Sequence, residues 1–550
     1  MSSSHILPVV ILLGGLIFVH ELGHFLVAKA FRVKVLTFSL GFGPRILGFR
    51  LGETDYRLSL LPLGGYVKMA GEDPNNPLPE EDRGRGFLEQ PAWKRMLISL
   101  AGPAFNLIFP ILVYFAVFSA QTEAIAPVVG QVVPGMPAAE AGLLPGDRIV
   151  EIEGERIHAF QDLRRHIDPN PGRSLRVVVE RDGERLDMRI TPTTVEESDP
   201  IETLKVGKIG IIPNPAAPVV GITGPGTAAY EAGLRPLDRI AKVAGQEVRS
   251  LEDALVRLEE QHARGEPFEV LALRREGLAA GPLDLGIPRA VKVRILPVDP
   301  ETGERRELGV ESGELYVSRV VAGSAAAQAG IARGTRLVAL DGEPLRSWQD
   351  VENARRRKGG EPFALTVRVD GEERTLTLAQ AAKTQMDEVR GRPVTVYTLG
   401  AYGGLPVLAA PVEPVPFRPL LAAEMALSST WEVTRKIAIG IGKLLTGQIA
   451  FSNVGGPIQI YDVATKAAQQ GWEYFLHTMA LISINLGLLN LLPVPVLDGG
   501  HILQSGIEMV RRRPLSMRTR ELANMVGLAM LLALMIFAMR NDVIRYFFSG

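Results

Sequence analysis

The stretch "LIFVHELGHFLVAKA", residues 16–30, decides how the chain is read. It lies in an apolar run long enough to span a bilayer, yet His20, Glu21 and His24 interrupt it within about one helical turn. An ionisable group inside a membrane is costly unless it is partnered or functional. The segment fits H-E-x-x-H: on a helix, His20 and His24 stand one turn apart on the same face and both imidazoles can reach one zinc ion. Glu21 projects about 100° round from His20, close enough to act on a water at that ion. The run has no lysine or arginine ahead of its apolar core and carries Glu21 inside it, so it reads as a retained span rather than a cleaved leader, although "AKA" at 28–30 has the look of a cleavage site.

Three further stretches have the length of a span: about 96–118 ("MLISLAGPAFNLIFPILVYFAVF"), 474–492 and 522–539, with the first placed at about 6–28. Asn106 and Asn485, in the second and third, read as hydrogen-bonders between packed helices. Basic residues cluster between spans one and two (Lys29, Arg32, Lys34, Lys94 and Arg95 among them) and between spans three and four (Arg511, Arg512, Arg513, Arg518, Arg520), which puts both loops on the cytoplasmic side. The roughly 350 residues between spans two and three then face the other side. The chain of 550 residues has no cysteine, so thiolate metal sites and disulfides are excluded, and a net charge of −1 gives no electrostatic case for nucleic-acid binding.

A catalytic zinc takes three protein ligands and keeps a position open. The candidate source of the third is "NLLPVPVLDGGH", Asn490 to His501, where Pro493 and Pro495 break a helix and Gly499 and Gly500 permit tight turns. Irregular backbone at membrane depth is tolerated where it lines a polar cavity. Asp498 is the candidate oxygen ligand, and His501 is its rival or a supporting group.

The exported stretch repeats itself. "AAEAGLLPGDRIVEIEGERI" begins at Ala138, "AYEAGLRPLDRIAKVAGQEV" at Ala229 and "AAQAGIARGTRLVALDGEPL" at Ala326. An amphipathic helix follows each copy, with apolar faces Phe160, Leu163, Ile167; Leu251, Leu255, Leu258; and Trp348, Val351, Ala354. The pattern resembles PDZ domains, which bind an extended peptide as an added strand. The three α+β units are placed at 126–195, 217–298 and 306–382. They differ: Leu237 replaces Gly146, and Thr335 replaces Asp147.

"HELGH" in the first span, "NLLPVPVLDGG" in the third and PDZ-like repeats between spans two and three together resemble the site-2 protease family of intramembrane zinc metalloproteases, and within it the RseP group, regulators of sigma-E protease. "GYVKMAGE" (65–72), "AGPAFN" (101–106) and "GGPI" (455–458) are similar to family segments too, whereas three repeats depart from the two usual in that group. The resemblance implies zinc held by His20, His24 and Asp498, with Glu21 as base. It implies substrate contacts at Asn490, Gly65, Tyr66, Val67, Pro493 and Pro495.

The expected fold is a polytopic α-helical membrane protein: four spans forming a site-2 protease core, a membrane-associated β-hairpin region and three tandem PDZ-like domains. Its parts are a first core section (1–125, with hairpins at 35–70), the repeats, amphipathic gating helices (418–471) and a second core section (472–550). Expected partners are the lipid bilayer and pre-cleaved single-pass proteins such as a transmembrane anti-sigma factor or remnant signal peptides, with substrate ectodomains or peptides touching the repeats. The expected location is the bacterial inner membrane, with the repeats periplasmic. Two other readings use the same residues: an inactive membrane scaffold presenting PDZ domains, and a metal-sensing or metal-transporting membrane protein.

Overall fold

A computed structural model describes residues 3–72, 78–199, 201–276, 279–280, 283–284, 287–387 and 392–548. The helices used below are α1 (Ser3–Ala30), α2 (Ala92–Ala120), α3 (Pro419–Leu445), α4 (Pro457–Gln469), α5 (Trp472–Asn490), α6 (Asp498–Arg511) and α7 (Met517–Val543). Among the described residues three helical stretches are long and apolar enough to cross a membrane: Leu7–Ala30, Ala92–Ala120 and Met517–Phe547. The third span read from the sequence is helical as α5, but Glu473, His477, Asn485 and Asn490 lower its hydropathy. Those residues sit in a helix packed against α2, and a helix sheltered by others tolerates more polarity than one facing lipid.

Helix α2 is the hub, packing against α1, α3, α5 and α6. Pro110 lies inside it and has no N–H, so the Asn106 carbonyl one turn earlier loses its helical donor. Ser483 of α5 replaces that donor, its hydroxyl bonding the Asn106 carbonyl at 2.8 Å. Helix α1 approaches α2 closely: a Cβ on Gly23 would stand 2.4 Å from the Ala101 carbonyl oxygen. Small residues at such crossings let backbones approach and polar groups reach across.

Between α1 and α2 the chain forms β1 (Val35–Leu51) and β2 (Thr54–Met69). Each bends, so the pair makes four short segments. Thr37–Leu40 lie between Asp55–Leu58 and Gly65–Lys68, while Leu47–Leu51 pair with Thr54–Leu58. The segment Gly65–Met69 is therefore at the sheet edge. Phe38 packs on Phe18 and Phe25 of α1, whereas Phe42, Ile46, Leu47, Phe49 and Leu60 are exposed.

The three repeats have one sheet order. In the first, Arg148–Ile152 pairs with Glu155–Arg156 and with Leu175–Arg181, which pairs with Glu184–Ile190. The same order holds around Arg239–Val243 and Arg336–Leu340. Each sheet buries a core against a helix, for instance Ile149, Leu163 and Val177; Ile240, Leu258 and Val270; Leu337, Val351 and Leu365. Ser250 and Ser347 cap the second and third of these helices by accepting the N–H of Asp253 and Asp350. Alanine 159 stands at the first repeat's cap position, where Asp162 accepts the N–H groups of His158 and Ala159.

Every repeat is closed by a strand beyond the boundary read from the sequence. Gln131–Val132 pair with Ile211–Ile212, Val220–Ile222 with Val310–Ser312, and Arg319–Val320 with Ala401–Tyr402. These pairings are two or three residues long, too short to show alternation. The whole array of repeats leaves α2 through Glu123–Ile125, which pairs with Val412–Pro414 ahead of α3.

Two sequence differences between repeats acquire physical reasons. Asp147 and Asp238 are buried and each is gripped by an arginine on the neighbouring strand, Arg181 and Arg274, at 2.6–2.8 Å. In the third repeat the carboxylate becomes Thr335 and the pairing register puts Val369 where the arginine would be. Both partners disappear together, which avoids a lone buried charge. Gly146, Leu237 and Gly334 all have positive φ, at 95°, 71° and 87°, so Leu237 holds a glycine backbone conformation.

Candidate metal centre and catalytic cavity

The "HELGH" turn lies in α1, and His20 and His24 both face α2 and the loop that follows α5. Glycine 102 of α2 makes room for them: a Cβ there would stand 2.3 Å from His24 Nε2 and 2.8 Å from His20 Cε1. Helix α5 ends at Asn490, and the loop Leu491–Leu497 turns the chain back into α6, whose first residue is Asp498. Gly499 and Gly500 are required by that turn. Side chains would collide with the carbonyls of Leu492 at 2.1 Å and Val494 at 2.5 Å. Val496 has a φ of 84°, a conformation costly for a β-branched residue and held by the loop around it.

This turn sets the Asp498 carboxylate against both histidines. His20 Nε2 is 3.1 Å from Asp498 Oδ2, His24 Nε2 is 3.3 Å from Asp498 Oδ1, and the two Nε2 atoms are 3.3 Å apart. Bonds of about 2.0–2.1 Å in a tetrahedron place neighbouring ligand atoms about 3.3 Å apart. The three side chains therefore fit zinc in atom type and in spacing. Among the described residues, they form the one group of three or more potential ligands whose atoms converge. His24 donates from Nδ1 to the Ile98 carbonyl at 2.8 Å, which leaves the Nε2 lone pair facing Asp498.

The three residues open on a cavity of about 290 Å³ that Glu21, Tyr66, Val67, Asn490, Val496 and His501 also line. Among the described residues that line it there is no lysine or arginine, while there are three carboxylates: Glu21, Glu72 and Asp498. Such a charge balance suits a divalent cation. Glu21 lies against the edge segment of β2, its Cγ 3.2 Å from where a Cβ on Gly65 would be. Of the residues expected to contact substrate, Tyr66, Val67 and Asn490 line the cavity and Gly65 lies beside Glu21, with Asn490 Nδ2 3.5 Å from His20 Nε2. Pro493 and Pro495 are not among the lining residues. Pro495 faces away, its carbonyl 2.0 Å from where a Cβ on Gly527 of α7 would be. His501 lines the cavity but is outside the converging group.

Asn106 acquires a position that helix packing alone did not suggest: its side-chain amide is 3.1 Å from His20 Nδ1. The available signal was its spacing from Gly102, which puts both on one face of α2.

Known proteins match the chain along nearly its whole length. The profile described as peptidase family M50 matches residues 8–534. The chain is 30% identical to the regulator of sigma-E protease RseP of Salmonella typhimurium, covering 98% of this chain and 97% of that protein. It is 29% identical to RseP of Escherichia coli K12 over the same shares, and 30% identical to a Ralstonia nicotianae protein named as a zinc metalloprotease, over 99% of both chains. With zinc as its cofactor and a full-length match to metalloproteases, the chain belongs to peptidase family M50.

Proposed function

We propose that the chain is an intramembrane protease of the regulated-proteolysis type, cutting membrane segments of single-pass proteins already shortened on the exported side. The observation that carries this is the convergence of His20, His24 and Asp498 beside Glu21, in a cavity bordered by an open strand edge. In this reading His20, His24 and Asp498 hold zinc and Glu21 is the base. Bound zinc supplies Lewis-acid chemistry, making water a competent nucleophile near neutral pH and polarising a peptide carbonyl. Glu21 takes a proton from the attacking water and returns it to the departing amide nitrogen.

A peptide bond in a helix is shielded, so the substrate must be extended before Glu21 can act. The edge segment Gly65–Met69 offers backbone groups to which an unwound stretch adds as a strand, alongside Glu21. Asn490 lies where it can bond the bound backbone. The apolar side chains exposed on β1 and β2 suit a sheet that dips into lipid.

Four spans, with α5 as the third, leave the basic loops cytoplasmic and the three repeats on the exported side of a bacterial inner membrane. The histidines then lie in the cytoplasmic half of the first span, and so does the cut. The repeats act as PDZ-like domains that exclude bulky ectodomains, and α3 and α4 gate entry. Relatives named as regulators of sigma-E protease make a transmembrane anti-sigma factor the first substrate to try.

The test is cleavage of a truncated single-pass substrate by purified protein. Glu21→Gln should lower the rate at least about 10²-fold while zinc content stays stoichiometric. Asp498→Asn should lose zinc and activity together. Cleavage by Glu21→Gln at the wild-type rate would sink the mechanism, and stoichiometric zinc with no cleavage of any truncated substrate would favour metal sensing.

A further inference from the structure

We propose that Asn106 is a positioning residue: its side-chain carbonyl, not its NH2 group, holds His20 in the tautomer a metal ligand requires. The inference rests on the zinc site proposed above.

The ring nitrogen of His20 that faces Asp498 and His24 is Nε2, at 3.1 and 3.3 Å. A neutral imidazole carries one N–H, and a ligand nitrogen must present its lone pair, so the proton of His20 belongs on Nδ1. An N–H there needs an acceptor, because burying it unpaired costs free energy. The group within hydrogen-bond distance of Nδ1 is the Asn106 amide, whose Nδ2 lies 3.1 Å away and whose Oδ1 is buried without a partner. The two ends of an amide exchange places by a half-turn about Cβ–Cγ, and only the network around them says which end is where.

One end of this amide lacks a partner in either orientation, so the histidine decides. With NH2 at Nδ1, the proton of His20 moves to Nε2 and points into the ligand group. With the carbonyl at Nδ1, Nε2 is free. Zinc binding therefore selects the second orientation, and the carbonyl in turn preselects the ligand form before any ion arrives. His24 uses the equivalent arrangement with a backbone carbonyl, that of Ile98.

The amide has little freedom to do anything else. Asn106 is fully buried, and its main chain is tied to α5 by the Ser483 hydroxyl at the carbonyl that Pro110 left without a donor. One turn away, Gly102 admits the two imidazoles. A single turn of α2 thus makes space for both rings with one residue and orients the first ring with the other.

The experiment uses full-length protein in detergent, stripped of metal and labelled with 15N-histidine. Long-range 15N–1H correlations report the His20 tautomer, and chelator competition reports zinc affinity. Wild type should show Nδ1–H. Asn106→Leu should show a mixed or Nε2–H ring and bind zinc about 10–100-fold more weakly. Asn106→Asp keeps an acceptor and removes the donor, so it should bind within about threefold of wild type. The proposal is overturned if wild-type His20 is Nε2–H, a measurement that needs no variant to fold. It is also overturned if Asn106→Asp binds zinc as weakly as Asn106→Leu while both retain wild-type helix content and an unchanged His24 signal. If instead His20→Ala leaves zinc affinity intact, the zinc site itself is wrong, an outcome separate from failure of the Asn106 role.

Discussion

The buried carboxylates Asp147 and Asp238 of the first two repeats each come with an arginine, and the third repeat lacks both members of the pair. Asp147 is fully buried and Arg181 partly so. Arg181→Leu should therefore destabilise the first repeat by about 2–3 kcal/mol, somewhat less than for a wholly buried pair. Asp147→Thr with Arg181→Val, which copies the third repeat, should cost clearly less than the single change; thermal melting of the wild-type and variant chains checks both. Leu237→Gly should stabilise the second repeat by about 0.5–1 kcal/mol, since the left-handed backbone it relieves costs more than glycine's added chain entropy. At this scale the sequence was informative wherever the partners were close along the chain. His20, Glu21 and His24 share a helical turn, so their spacing within an apolar run pointed to a metal site, which Asp498 completed as a candidate. Asn106 is 86 positions from the ring it touches, and its spacing from Gly102 places it on the right face of α2 without naming the histidine it meets.

The elements of the core are set by buried anchors at their ends. Helix α6 begins with Asp498 at the cavity and ends near Glu508, whose carboxylate bonds Arg95 of α2 and Arg520 of α7 at 2.5 Å each and accepts the Leu515 N–H at 3.0 Å. Burial would raise the Glu508 carboxyl's pKa, but that N–H and the two guanidiniums outweigh it and hold the group below its ordinary value. A depressed carboxylate adds stability that is complete above its unfolded pKa, about 4.3, and is lost as pH falls through the folded value. Wild type should therefore melt above Glu508→Gln at neutral pH, with the gap closing below about pH 4; scanning melts at stepped pH would show it. At the far end of α7, buried Asp542 accepts the N–H groups of Gly456, Ile458 and Gln459 and so caps α4. Long apolar helices were legible in the sequence because one property is repeated over many residues. The third was legible as a helix, while its polar residues make it resemble a buried element more than a lipid-facing one.

Taken whole, the molecule joins its repeats to its helices by charge as well as by chain. Glu202, at the tip of the hairpin Thr193–Lys208, bonds Arg435 of α3 at 2.6 and 2.7 Å, and Arg418 and Glu424 reach Asp162 and Arg165 of the first repeat at 3.3 Å. Several of these groups are part-exposed, so salt should weaken the attachment. Amide exchange in residues 193–208 should rise from low to 0.5 M salt, and Arg435→Ala should produce most of that rise at low salt. The repeats themselves were legible from their internal similarity, but the strands that close them were not, because each pairing is brief and joins residues about 80 to 90 apart. The neck, where Glu123–Ile125 meet Val412–Pro414, has a consequence of its own. Paired strands stand about 5 Å apart, so everything from residue 126 to 411 enters and leaves at neighbouring points, as an enlarged loop in a hairpin would. Units can be added to or removed from such a loop without altering where α2 and α3 begin or end. A chain in which a short turn replaces residues 126–411 should keep its helical bundle and its zinc while losing the screening of ectodomains proposed above for the repeats.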